Sequence, residues 1–71
     1  MSRDELEKYT VNDKNYTIYE EERDGKFIFY AEGPSGEKIA ETSANPADVI
    51  DPSKNITADL IKKIKEQIDK L

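Results

Sequence analysis

The chain has 71 residues, of which 35% are hydrophobic and 38% charged, and it carries a net charge of −5. That is enough for one domain, near the size at which a single core just suffices, with a charge that repels nucleic acid and anionic membranes. Cysteine and histidine are both absent, which removes disulfides, thiolate nucleophiles, zinc-thiolate sites and the usual general base, so the expectation is a non-enzyme without cofactor or metal.

The first segment, "MSRDELEKY", is acidic and has no apolar run of the kind that opens a secretory signal. No stretch approaches the roughly 20 apolar residues that span a bilayer. A cytoplasmic protein without membrane contact is therefore expected. Ser2 and Glu5 spell a capping box, and Leu6 and Tyr9 stand three apart, as on one helical turn. Residues 1–8 are nevertheless expected to fray, as chain ends do.

"YTVNDKNYTIYEE" reads as two extended segments around Asn12-Asp13-Lys14, the first of them a short strand from Tyr9 to Val11. The next turn is better specified, because Asp24-Gly25 supplies the two positive-φ positions of a type I′ hairpin. A two-residue loop pairs Arg23 with Lys26, Glu22 with Phe27, Glu20 with Phe29, Tyr19 with Tyr30 and Ile18 with Ala31. Opposed residues share a face, so Tyr16, Ile18, Phe27, Phe29 and Ala31 fall on one side, and Tyr19, Ile28 and Tyr30 on the other. A three-residue loop would mix these sets, which favours the shorter one.

"GPSGEK" makes the following turn, centred on Pro34-Ser35 with Gly36 left-handed. Glu32 then meets Lys38, and Ala31 meets Ile39. Residues 9–42 thus predict an antiparallel meander of three or four strands. From 43 to 56 the period is lost, and this stretch is expected to connect sheet and helix. Pro46 starts a short helical turn there, with Val49 and Ile50 inward, and Asp51-Pro52 ends it.

Residues 57–71 carry Leu60, Ile61, Ile64, Ile68 and Leu71 at helical spacing, opposite Lys62, Lys63, Lys65, Glu66 and Lys70. Thr57 is the expected cap, with Ile56 stapling onto Ile61. The pairs Lys62–Glu66, Glu66–Lys70 and Lys65–Asp69 stand four apart and can neutralise one another. A helix this short needs a surface to be stable, and the Phe27/Phe29/Ile39 face offers one. The predicted fold is α+β, a single domain with the C-terminal helix across one face of the meander.

Glu20, Glu21 and Glu22 invite a reading as metal ligands or an acid/base pair. On a strand they alternate sides, however, and hard cations need several convergent oxygens. Gly33 to Lys38 lacks the full phosphate-loop spacing, with Ile39 where a magnesium-binding hydroxyl belongs. The feature left over is aromatic. Tyr19, Ile28 and Tyr30 are neighbours on the face away from the helix, within a rim of Thr17, Glu21, Glu32, Lys38, Ala40 and Thr42. Cross-strand support for the sheet accounts for such a set, and so does a contact patch of tyrosine anchors. The expected function is protein binding through Tyr19, Ile28, Tyr30, Glu21, Glu32 and Lys38, by a monomer or by a weak homodimer paired at an edge strand. The alternative is an acidic decoy occupying another protein's nucleic-acid site through Glu20, Glu21, Glu22, Asp24, Glu32 and Glu41.

Overall fold

A computed structural model describes residues 3–71. Four strands form one antiparallel sheet in the order β1-β2-β3-β4. They are β1 (Arg3–Val11), β2 (Lys14–Arg23), β3 (Lys26–Glu32) and β4 (Lys38–Ala44), followed by a short helix α1 (Pro46–Val49) and a longer one, α2 (Ile56–Asp69). The architecture is the expected α+β meander closed by a C-terminal helix. Among the described residues no helix is long and apolar enough to cross a membrane.

The hairpin turns follow their local chemistry. Asn12 and Asp13 hold φ of 52° and 65°, and Asp24 and Gly25 hold 52° and 76°. Both turns are two-residue loops, whose twist matches that of the strands they join. The β2–β3 register is the predicted one, with Tyr19 opposite Tyr30 and Ile18 opposite Ala31. In the next turn the Gly36 amide donates to the Gly33 carbonyl at 2.9 Å. That brackets Pro34-Ser35 and brings Glu32 opposite Lys38.

The first strand departs from expectation. It begins at Arg3, so residues 3–8, expected to fray, pair with β2 instead. Ser2, half of the expected capping box, lies outside the described residues, and Glu5 belongs to the strand. The cause is a bulge. Glu5 faces Tyr19 and Glu7 faces Ile18, leaving Leu6 extra. Leu6, Tyr9 and Val11 all pack on the core, although strict alternation would send Leu6 and Tyr9 to opposite faces. Three-apart spacing therefore fits a bulged strand as well as a helical turn.

A second bulge solves the same problem in β4. Phe29 faces Thr42 and Ala31 faces Ile39, so Tyr30 stands against both Ala40 and Glu41. Ala40 takes up the extra residue with φ of 57°. Ile39, Ala40 and Ala44 consequently all pack on the core.

That core lies between the sheet and α2. Tyr16, Ile18, Phe29 and Ala31 from the sheet are buried against Leu60, Ile64 and Ile68. Ile61 and Val49 are half-buried beside them, whereas Ile50 and Leu71, both expected inside, are 74% and 73% exposed. Each lies just past the end of its helix, so the period that would have turned it inward has stopped. The helix starts at Ile56, behind a left-handed Asn55 with no side-chain cap, and so Thr57 is its second residue and not its cap. Lys65 and Asp69 do not pair with each other. Lys65 forms an ion pair with Glu7, and Asp69 accepts a hydrogen bond from Tyr9, so both join α2 to β1.

Candidate functional site

The face of the sheet away from α2 has Tyr19 and Tyr30 at its centre, on the two middle strands β2 and β3. Their rings are cross-strand neighbours, 5.7 Å between centroids and tilted by 35°. Register alone produces this meeting, since Tyr19 and Tyr30 are opposed in a pair that shares one face. Ile28 is half-buried two residues before Tyr30, opposite Glu21 and beside Ser43.

The tyrosines are not equally available. Tyr19 is half-buried, but Tyr30 is only 1% exposed although it lies on the face away from α2. Two cationic side chains from the outer strands close over it. The Arg3 guanidinium carbon sits 3.8 Å above the Tyr19 ring centroid. Its Nη1 donates to the Tyr30 hydroxyl at 3.1 Å and to Glu32 Oε2 at 3.0 Å. From the other side the Lys38 ammonium lies 4.9 Å from the centre of the Tyr30 ring. Tyr30, expected among the contact residues of this face, is thus closed off from solvent. Arg3 was missed because residues 1–8 were expected to fray; with β1 paired, Arg3 stands opposite Glu21 and reaches across β2.

The rim is also rearranged. The β4 bulge turns Thr42 toward Phe29 and packs Ala40 on the core, so neither borders the tyrosines as expected. Glu41 takes that side instead, 3.7 Å from Arg23. Arg23 donates through Nε and Nη2 to Glu21 Oε2, at 2.9 and 2.6 Å. This fork holds the Glu21 carboxyl below the usual carboxylate range. The Arg3 guanidinium is shifted further toward its charged form, first by the Tyr30 hydroxyl and then by Glu32. The face is therefore a pre-formed lattice of rings and paired charges.

The glutamate run divides as alternation requires. Glu21 faces the tyrosines, while Glu20 and Glu22 stand opposite Phe29 and Phe27 on the helix side. Glu20 is half-buried opposite Asp4; burial, and then Asp4, pushes its carboxyl up. Of the six carboxylates considered for an acidic decoy, Glu21, Glu32 and Glu41 are ion-paired within the chain and two others lie on the opposite face. They do not form one acidic surface. Among the described residues no three acidic side chains converge as a metal site would require.

A groove of about 290 Å³ runs between β4 and α2, lined by Ala40, Thr42, Leu60, Ile64, Lys63, Glu41 and Gln67. It mixes an aliphatic floor with one glutamate and one lysine. Neither a family model, nor a curated protein, nor a solved structure matches this chain.

Proposed function

We propose that this chain is a non-catalytic protein-binding module that engages its partner through the sheet face away from α2. One observation carries the reading. A face that no helix among the described residues covers nonetheless has an aromatic centre, Tyr19 and Ile28 beside a buried Tyr30, within a rim of paired charges. Solvated sheet faces need no such order; interfaces gain from it, because pre-set side chains lose less entropy on binding. The contacting groups are Tyr19 and Ile28 at the centre and Arg3, Glu21, Glu32 and Lys38 around them. Tyr30 contributes as the buried ring beside Tyr19.

Affinity capture with three forms of the chain tests this. The wild type and a Lys62→Ser control on the exposed side of α2 should retain the same protein, and a Tyr19→Ser/Ile28→Ser variant should lose it. The captured protein, once purified, should rebind the wild type and not the double variant. Far-ultraviolet circular dichroism establishes that the variant is folded. Equal binding by the double variant would overturn the reading.

A further inference from the structure

The face away from α2 holds one side chain in the way a receptor holds a ligand. The ring of Tyr19, the hydroxyl of Tyr30 and the carboxylate of Glu32 surround the Arg3 guanidinium at 3.8, 3.1 and 3.0 Å. That set complements a guanidinium: a π-face for a delocalised cation and two acceptors for its N–H groups. A lysine ammonium matches it less well, being compact, strongly hydrated and unable to stack.

Receptor and ligand belong to different parts of the sheet. Tyr19, Tyr30 and Glu32 lie on the central strands β2 and β3, and Lys38 lies over the Tyr30 ring. The pairing of β2 with β3, to which Arg3 does not belong, sets the places of Tyr19, Tyr30 and Glu32 on one face. Arg3 itself belongs to a stretch of the edge strand that little besides its own side chain secures. Residues 3–5 are exposed, lie beyond the Leu6 bulge and have a neighbour on one side only. Their pairing also sets Asp4 directly against Glu20, a like-charge opposition that weakens this stretch in particular. Edge segments with few buried contacts open at the lowest free energies in a domain.

We propose that Tyr19, Tyr30 and Glu32 form a guanidinium-binding site, filled in cis by Arg3 and filled in trans by an arginine of a partner protein when residues 3–5 lift from the sheet. The inference rests on the protein-binding reading of this face and gives the partner its chemistry, a segment that presents arginine. Arg3 is then a tethered competitor, which lowers the apparent affinity of any incoming arginine.

The test titrates N-acetyl-arginine methylamide into isotope-labelled wild type and Arg3→Ala, following the resonances of Tyr19, Tyr30 and Glu32. The vacated variant should bind the probe at least tenfold more tightly than the wild type, with shifts centred on those three residues. The lysine analogue should bind more weakly, and adding Glu32→Gln to Arg3→Ala should abolish the gain. Equal affinity for wild type and Arg3→Ala, shifts located elsewhere, or binding unaffected by Glu32→Gln would each overturn the proposal. Arg3→Gln, which keeps a hydrogen-bonding side chain on β1, repeats the comparison should Arg3→Ala not fold. The two readings fail separately. A negative titration with capture still dependent on Tyr19 and Ile28 removes the guanidinium site alone. A positive titration with capture indifferent to them removes the protein-binding reading.

Discussion

The Tyr9 hydroxyl donates a 2.7 Å hydrogen bond to the Asp69 carboxylate, joining β1 to the end of α2 across 60 residues of chain. Lys65 lies 5.3 Å from the centre of the same ring and pairs with Glu7. The edge strand is thus tied to the helix at its Tyr9 end, while its Arg3 end is held from the other face.

Tyr9→Phe should lower stability, because it leaves Asp69 without this donor and retains the ring that packs on the core. Asp69 first, and burial after it, raises the Tyr9 hydroxyl above its ordinary value of 10.0. The contribution is therefore complete below pH 10 and is lost as the pH rises through the folded value. Urea melts should place the variant's midpoint below the wild type's at pH 7. The two midpoints should converge in strong alkali.

The centre of the helix face should be far less forgiving. Ile64 is 1% exposed and packs within the sheet–helix core. Ile64→Ala should cost about 3 kcal/mol from lost burial and an unfilled cavity, slightly offset by the helix propensity of alanine. A domain this small is stable by on the order of 5 kcal/mol, so the variant should be partly unfolded by 37 °C. Ile61→Ala, at a half-buried position, should lose less than half as much. Thermal melts followed by circular dichroism compare the two.

What the sequence disclosed and what it concealed have a common physical basis. The β2–β3 register was legible because Asp24-Gly25 sets the loop length and the alternation of Ile18, Phe27 and Phe29 sets the face; both point to one pairing. The helix was legible from Leu60, Ile64 and Ile68 for the same reason. In β1 and β4, bulges break the alternation that makes a strand visible. Leu6 falls out of phase with Tyr9, and Ile39 out of phase with Thr42 and Ala44. Those two errors propagated into the candidate site. Arg3 was missed because its strand was, and Thr42 was assigned to the wrong face because its bulge was. The tyrosine pair survived because it depends only on the central hairpin. Tyr30's burial was not legible, since it arises from Arg3 and Lys38, side chains brought to it by outer strands.

Two neighbours in the glutamate run should respond to pH in opposite senses. The Glu20 carboxyl is raised, by burial and then by Asp4, and the Glu21 carboxyl is lowered, by Arg23. A raised carboxyl favours the fold below its unfolded value, near 4.5, and that advantage is lost as the pH rises through the folded value. A lowered one favours the fold above the unfolded value and loses its contribution as the pH falls through the folded value. Glu20→Gln should accordingly stabilise the protein at pH 7, by about half a kcal/mol at low salt and less at high salt. Glu21→Gln should destabilise it at pH 7. Both differences should shrink toward pH 3, which urea melts at the two pH values will read directly.

Ala40 offers the sharpest check on the β4 bulge. Its φ of 57° lies in the left-handed region, where a Cβ costs about 1–2 kcal/mol. Glycine avoids that cost but loses about 0.5–1 kcal/mol more in chain entropy on folding. The balance makes Ala40→Gly stabilising by about 0.5 kcal/mol, against the usual rule that glycine weakens a strand. Ala40→Val should go the other way, since a β-branched residue is a true outlier at this φ although valine ordinarily favours strands. Without the bulge both signs reverse: an ordinary edge-strand position would prefer valine and resist glycine. The order of the three urea midpoints, glycine above alanine above valine, therefore tests the bulge itself. With it is tested the register that turns Thr42 toward the core and Glu41 toward the tyrosine face.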